Sequence, residues 1–379
     1  MKKRKLLYYS EFSNDAIGLD DSLVEGLIRK ELRRWLDTIV VYYSRTEKTS
    51  RSIGDGLISI PYDQRDNLVE AVSEFVDVRA LDFIVVRNTL AALHDALRNR
   101  RRFNYLVGFH PTFPHNLRRV HESDLAGKGR LRKRIEYRLK ERRLNRLASM
   151  CDFIVSSSEY MIDDASLRRS MKFFKISNGV DLDQVLPYEP RHPHPDAPLR
   201  FVYIGSFDLA RQLDVVFAAF DDLIDTSWNL TIFTPKPEEA EEIVRQSMPR
   251  VADRVEVLAA KPRGELFRRL ADYDVGINLI PVNPVYTVSS PIKLFEYYAC
   301  GLPAVMTPLP ACLELFGDRN VGWITDFDRK AITRTLADVL RTDRAEILRL
   351  GAAGREIVLN ERNYRKIGGE FAAFLEALD

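Results

Sequence analysis

Apolar residues along the first half of the chain fall into short β-branched and aromatic runs separated by longer amphipathic stretches. The runs are Lys5–Tyr9, Thr38–Tyr43, Phe83–Arg87, Tyr105–His110, Phe153–Ser158 and Lys172–Ser177. Continuous runs of this length, with turn residues at their ends, predict strands buried on both faces. Between the first two, Leu23, Leu27, Leu32 and Trp35 recur at roughly helical spacing amid charged residues over Asp20–Trp35. A strand–helix–strand alternation of this kind predicts a parallel sheet covered by helices.

The alternation stops at Tyr188–Pro198, where four prolines stand in eleven residues and exclude both helix and central strand. It then restarts. Strands are expected at Arg200–Gly205, Asn229–Thr234, Val255–Ala259, Val275–Pro281, Ala304–Thr307 and Val321–Thr325. Helices are expected at Leu213–Ile224, with Leu213, Val216, Phe217, Phe220 and Ile224 on one face, and near Arg263–Ala271 and Ile292–Cys300. The pattern predicts an α/β chain of two Rossmann-like domains, 1–187 and 199–360, joined by a linker at 188–198, with a last helix over 361–379 packing back on the first domain. Two such domains facing across a cleft bind ligands where strand ends and helix N-termini converge.

Length and composition fit that reading: 379 residues suit two domains, and 45% apolar with 30% charged residues is ordinary for a globular protein. No stretch approaches the ~18 uninterrupted apolar residues of a spanning helix, and the basic start Met1–Lys5 leads into no signal-like apolar segment, so a cytoplasmic location is expected. Three widely spaced cysteines, Cys151, Cys300 and Cys312, form neither a zinc pattern nor a disulfide framework. The net charge of +2 conceals an asymmetry: residues 1–190 hold 34 Lys+Arg against 27 Asp+Glu, the remainder 23 against 28.

Much of the positive charge lies in Lys128–Arg146, which holds ten Lys/Arg and two Glu. Leu131, Ile135, Leu139, Leu144 and Leu147 add a narrow apolar stripe to what reads as a basic amphipathic helix. Two readings stand side by side: the stripe packs on its own domain, or Arg130, Arg132, Lys133, Arg134 and Arg138 meet an anionic membrane surface, possible for a protein peripheral on the inner face. Nucleic acid is not expected as a partner, since neither an RNA-binding aromatic motif nor a compact DNA-reading module is present.

The richest segment for chemistry is Ser289–Val305. Ser290 reads as the N-cap and Pro291 as the first residue of a helix that ends at Gly301, ahead of Pro303 and a buried strand. Free amides at such an N-terminus favour an anion. Lys293 in the first turn opposes the helix dipole and suits a bound phosphate, while Glu296 one turn on could accept two ribose hydroxyls. The alternative is a capped core helix whose Lys and Glu are merely solvated.

Several stretches together resemble a known family. Ser289–Val305 looks like the donor-binding segment of retaining GT-B glycosyltransferases, in particular the large family-4-like group. Ser10–Lys30 resembles that family's first loop and helix, and Cys151-Asp152-Phe153-Ile154-Val155-Ser156-Ser157-Ser158 one of its strands. Lys175-Ile176-Ser177-Asn178-Gly179-Val180-Asp181 is similar to its "I-x-N-G-V-D" turn, and Phe201–Phe220 to its "Y-x-G-S" unit with the following helix.

The resemblance implies transfer of a sugar from a nucleotide-diphosphate sugar, UDP or GDP most often, to a saccharide or lipid-linked acceptor, with retention and no obligatory metal or other cofactor. Carried over by position, Glu296 would hold the ribose; Ser290, Pro291, Ile292 and Lys293 would meet the diphosphate. Gly205 and Ser206 would admit the nucleotide, with Arg211 as second cation and Gly18 in the loop over the phosphates. Val257, Leu258 and Lys261 would line the base pocket, and His110 would sit beside the transferred sugar. Arg211, Lys293 and His110 are the catalytic candidates.

Departures are specific. Val288 occupies the place of the first carboxylate of the common Glu-x7-Glu motif, and Ser206 and Gln212 stand where basic residues are usual. These favour, as the rival, a non-catalytic GT-B binding or scaffolding subunit. His110 could simply cap a strand end, and His192 and His194 lie in the proline-rich stretch. The pairs Asp181/Asp183, Asp272/Asp274 and Asp326/Asp328 resemble metal–diphosphate motifs of another fold, but three such pairs in a chain with this many acids read as coincidence. No Gly-x-Gly-x-x-Gly follows a first strand, so a dinucleotide oxidoreductase is disfavoured.

Overall fold

A computed structural model describes residues 3–13, 22–112, 130–157, 172–187, 189, 197–207, 211–283 and 286–378. The chain divides into two compact units, residues 1–177 with 364–379, and residues 178–363. The division falls about ten residues before the proline-rich stretch. Residues 178–187 go with the second unit: the Val180 amide donates to the Arg362 carbonyl at 2.9 Å, and Arg355 donates to the Leu186 carbonyl at 2.8 Å.

The first unit is built on eight strands: β1 (Lys5–Ser13), β2 (Asp37–Ser44), β3 (Arg51–Gly54), β4 (Leu57–Pro61), β5 (Phe83–Arg87), β6 (Leu106–His110), β7 (Phe153–Ser156) and β8 (Lys172–Lys175). Their order is β3-β4-β2-β1-β5-β6-β7-β8, and all pairs are parallel except β3 with β4. Sequence order reverses between β1 and β5. Sequence periodicity missed the β3–β4 hairpin because β3 carries one apolar residue and is largely exposed, while β4 ends in proline. Its turn at Asp55-Gly56, with Gly56 at φ +64°, was the available signal.

One face of this sheet is covered by the helix Leu23–Glu31 and the last helix Tyr364–Glu376. Gly26 makes the contact possible: a Cβ there would lie 2.6 Å from the Tyr364 ring, whose hydroxyl hydrogen-bonds Ser22 at 2.9 Å. Phe371 stacks on Phe174 of β8 at 4.9 Å between ring centres, and Phe374 lies tilted against it at 5.3 Å.

The second unit holds β9 (Leu199–Ile204), β10 (Trp228–Thr234), β11 (Val255–Ala259), β12 (Val275–Asn278), β13 (Ala304–Met306) and β14 (Trp323–Ile324). The order β11-β10-β9-β12-β13-β14, parallel throughout, is that of a dinucleotide-type Rossmann sheet, with its switch point between β9 and β12. Apolar clusters cover both faces. One joins Phe201, Tyr203 and Ile232 to the helix Leu213–Asp221; the other joins Val202 and Phe233 to the helix Ile292–Ala299. The switch point fixes where a ligand would lie, since strand ends and helix starts meet there.

Candidate functional site

The site grows from the end of β9. Its last ladder bond runs from the Gly205 amide to the Phe233 carbonyl at 2.9 Å, after which Gly205 turns with φ +147°, a conformation that disfavours any side chain. A side chain there would also crowd the groups around it. A Cβ at Gly205 would lie 2.9 Å from Arg211 Nη1, 3.1 Å from Lys293 Nζ and 3.1 Å from Tyr203 Oη. Three sequence-selected residues, Gly205, Arg211 and Lys293, therefore meet at one point.

Tyr203 organises that point. Its hydroxyl donates to the Ser206 carbonyl at 3.1 Å and accepts from Arg211 Nη1 at 3.3 Å. Lys293 Nζ lies 4.1 Å from the centre of its ring, a cation–π contact. The residue is almost fully buried, and nothing in the alternating strand pattern set it apart from its core neighbours. It stands in the Tyr203-Ile204-Gly205-Ser206 stretch, which was the one signal that could have found it.

The helix Ile292–Ala299 is bolted to the sheet by Tyr297. The Tyr297 hydroxyl accepts from the Ile204 amide at 3.0 Å and donates to the Ile277 carbonyl at 3.4 Å, tying the helix to the ends of β9 and β12. Gly276 leaves room for the ring, since a Cβ there would approach it to 2.3 Å. Burial pushes the Tyr297 phenol well above its usual range, so it stays a neutral hydrogen-bonding group.

The start of this helix corrects one expectation. Pro291, not Ser290, is the N-cap, with extended backbone at φ −73° and ψ 106°, and no side chain caps the helix. Proline has no N–H to spare and no side-chain oxygen, so the first amides are left uncapped by side chains. Ser290 instead serves through its backbone: Asn178, of the Asn-Gly-Val-Asp turn, donates to its carbonyl at 2.7 Å. Pro291 is buried and Ile292 half-buried.

Lys293 and Glu296 are both buried, at 9% and 5% exposure, which removes the solvated-helix reading. Glu296 is held by Arg263, Nε to Oε1 at 3.2 Å, at the first residue of the helix Arg263–Leu270. Arg263 carried no signal in the sequence, where it lies 33 positions from its partner. A carboxylate has about four acceptor positions, the chemistry that a pair of hydroxyls would use. Val288 is in the core at 5% exposure, a position that suits an apolar residue and not a carboxylate facing a sugar.

The base-pocket candidates lie on edge strand β11 and just beyond it. Val257 and Leu258 are half-buried against opposite clusters, and Lys261 pairs with Glu265 at 3.3 Å.

In the first unit, His110 ends β6 opposite Arg87 of β5, at 2% exposure. Its Nδ1 hydrogen-bonds the Tyr8 hydroxyl at 2.8 Å. Burial first, and the nearby Arg87 charge second, push its pKa well below 6.5, so the ring is neutral near pH 7. Beside it, Asn88 adopts φ +51°, and its side-chain oxygen accepts from the Thr112 amide at 2.7 Å. Gly18 lies outside the described residues.

The acid pairs have structural work where they are described. Asp274 accepts from the Arg200 amide at 2.8 Å and from Arg344 at 3.3 Å, and Asp328 caps the helix Arg329–Arg341 through the Ala331 amide at 3.0 Å. Asp181 closes a turn by accepting from the Asp183 amide at 3.1 Å.

The basic helix spans Arg130–Ala148, and among the described side chains its stripe is covered in part. Ile135 and Leu139 are 50% and 58% exposed, whereas Leu144 is half-buried and Leu147 buried, so among the described side chains the stripe is covered toward its C-terminal end; the Leu131 side chain lies outside the described set. Arg132 and Arg138 are exposed, Arg132 pairing with Glu136 at 3.1 Å; the side chains of Arg130, Lys133 and Arg134 are outside the described set. Among the described residues no helix is long and apolar enough to cross a membrane.

Residues 198–342, wholly within the second unit, match the family model described as glycosyl transferases group 1. The chain has the GT-B fold. Its whole length resembles a sucrose-phosphate synthase from Thermosynechococcus elongatus, at 16% identity, 99% of each chain covered and a TM-score of 0.73. An α,α-trehalose 6-phosphate synthase from Burkholderia multivorans matches at 12% identity, 100% and 97% coverage and a TM-score of 0.68. An Anabaena protein solved in complex with UDP and glucose matches at 14% identity, 99% and 100% coverage and a TM-score of 0.64. No curated protein matches this chain by sequence.

Proposed function

We propose that this GT-B chain is a retaining, metal-independent glycosyltransferase that takes a hexose from a UDP- or GDP-sugar and transfers it to a saccharide acceptor. The observation that carries this reading is the convergence of Arg211, Lys293 and Tyr203 on Gly205 at the start of the Ile292–Ala299 helix. Two cations and uncapped helix amides, brought together where a Cβ would crowd them, match the charge and the close approach of a diphosphate. Glu296, steadied by Arg263, takes the ribose hydroxyls.

The chemistry assigned to the site is electrostatic. As the bond from sugar to diphosphate lengthens, negative charge accumulates on the leaving group, and preorganised cations in a buried setting stabilise it without reorganising. A phosphate oxygen of the leaving group takes the acceptor proton on the same face, so no protein nucleophile is required. His110, neutral and fixed by Tyr8, offers its second ring nitrogen to a sugar hydroxyl.

The acceptor reading includes a lipid-linked saccharide of an envelope polysaccharide, with the protein peripheral on the inner membrane face. Exposed Ile135 and Leu139 beside Arg132 and Arg138 support it, each basic residue near an anionic surface contributing roughly 1 kcal/mol. A second reading, a subunit that binds nucleotide without turnover, is favoured by the buried Val288. Release of UDP or GDP from a panel of nucleotide sugars decides between them: nucleotide binding with no turnover on any donor and acceptor supports the second.

A further inference from the structure

The chain leaves β6 through His110-Pro111-Thr112, and bonds that hold this segment converge on one neighbour. The Asn88 amide donates to the His110 carbonyl at 3.2 Å, and the Thr112 amide donates to Asn88 Oδ1 at 2.7 Å, so Asn88 grips the main chain on both sides of Pro111. Pro111 has no N–H of its own. Its carbonyl accepts from the Ser156 hydroxyl at 3.4 Å.

Asn88 is itself held in place. At φ +51° it occupies the left-handed region, a conformation that costs energy and persists where the surroundings over-determine it. Here the surroundings are Glu11 and Thr112. Asn88 Nδ2 donates to Glu11 Oε2 at 2.5 Å and to the Thr112 hydroxyl, and that hydroxyl donates to Glu11 Oε1 at 3.5 Å. The three side chains close a ring. Glu11 stands at the carboxyl end of β1 and reaches across β5, whose last residue, Arg87, brings Nε to 3.5 Å from the same Oε1. The Glu11 and Arg87 side chains are only 22% and 12% exposed, so the ring is shielded from competing water.

A carboxylate accepts hydrogen bonds and does not donate them. It therefore takes an N–H from Asn88 and the proton of the Thr112 hydroxyl, which leaves the Asn88 carbonyl oxygen, and not its NH2 group, facing the Thr112 amide. A neutral amide at position 11 would set its own NH2 group against a donor. The imidazole has a second anchor, the 2.8 Å bond between His110 Nδ1 and the Tyr8 hydroxyl. Imidazole and main chain are thus fixed separately, one by Tyr8 and the other by the side chains that Glu11 ties together. A displacement of about 1 Å at a group that faces substrate can cost on the order of 10²-fold in rate.

From this juxtaposition we infer that Glu11 is a positioning residue: through Asn88 and Thr112 it places His110, and it sets the rate of sugar transfer without altering nucleotide affinity. This rests on the proposed transferase reading. Glu11 and its partners belong to the first unit, whereas Arg211, Lys293 and Glu296 belong to the second, so the two effects are separable.

The test compares Glu11→Ala, Glu11→Gln and Asn88→Gly with the unmodified full chain. The last of these accepts the left-handed backbone freely, so it removes the grip while sparing the fold. Release of UDP or GDP is followed on the sugar nucleotide that the unmodified chain turns over fastest, nucleotide affinity by calorimetry and stability by thermal melts. The His110 ring is observed by NMR of 15N-histidine-labelled protein, with His110→Gln assigning its signals. In Glu11→Ala and Asn88→Gly, kcat is expected to fall at least about tenfold, and in Glu11→Gln several-fold. UDP and GDP affinity stays within about twofold of the unmodified chain, and the His110 ring signals are displaced. In either Glu11→Ala or Asn88→Gly, an unchanged kcat per folded molecule, ring signals that stay in place, or a loss of nucleotide affinity matching the loss in kcat overturns the assignment. If the unmodified chain binds UDP or GDP but releases none from any donor, the transferase reading falls, and the ring signals still decide whether Glu11 places His110.

Discussion

Lys293 reaches Tyr203 across the end of β9, its ammonium 4.1 Å from the ring centre, and both would crowd a Cβ at Gly205, at 3.1 Å each. Gly205→Ala puts a methyl group 2.9 Å from Arg211 Nη1 at a backbone angle, φ +147°, that alanine rarely adopts. The two cations must move apart, so nucleotide affinity falls at least about tenfold, with a stability loss of roughly 1–3 kcal/mol from backbone strain. Calorimetry with UDP and GDP, together with a thermal melt, separates the two effects.

Lys293→Met and Arg211→Met remove a charge each while keeping most of the apolar stem. The transition state loses ~2–4 kcal/mol, a fall of about 10²–10³ in kcat, whereas KM for the donor changes less because charge on the leaving group grows with bond breaking. Steady-state release of nucleotide diphosphate measures both constants.

The strands and the helix that build this site were legible in the sequence because their signals are local. Runs of buried residues marked β9, β12 and β13, and Pro291 with Gly301 bracketed the helix between them. Partners brought together by the fold were not legible: Arg263 reaches Glu296, and Tyr203 reaches Arg211 and Lys293, through contacts that no sequence period encodes. The same limit applies to Tyr8 and His110, which are 102 residues apart. The basic helix left two readings open for a different reason. Helical spacing of Ile135 and Leu139 defines a stripe, but whether a stripe is covered depends on what the rest of the fold places against it.

Tyr297→Phe leaves the Ile204 amide without its acceptor at the edge of the site. A buried donor deprived of its partner costs about 1–3 kcal/mol, to be read as a lower urea midpoint at unchanged m-value. Gly276→Ala pushes the same ring outward from its seat, since a Cβ at that position lies 2.3 Å from it, and overpacking of this kind also costs roughly 1–3 kcal/mol. Both variants loosen the helix that bears Lys293, so kcat falls along with stability.

His110 makes stability depend on acid. Its folded pKa lies well below 6.5, by burial and then by Arg87, whereas the unfolded chain protonates near 6.5. Below about pH 6.5 the unfolded state therefore binds the extra proton and the folded state does not, so stability declines as pH falls through that region. His110→Gln flattens this part of the profile, measured as urea midpoints from pH 7.5 to 5. An unchanged slope would mean that His110 does not titrate as its surroundings require.

The most direct measurement is the position of bound nucleotide: a crystal structure of the chain with UDP or GDP, whichever raises the melting temperature more. Diphosphate oxygens should lie within hydrogen-bonding distance of Lys293 Nζ, the Arg211 guanidinium and the first amides of the Ile292–Ala299 helix, with the ribose against Glu296. Nucleotide bound elsewhere on the chain, or an empty helix start at saturating nucleotide, contradicts the account.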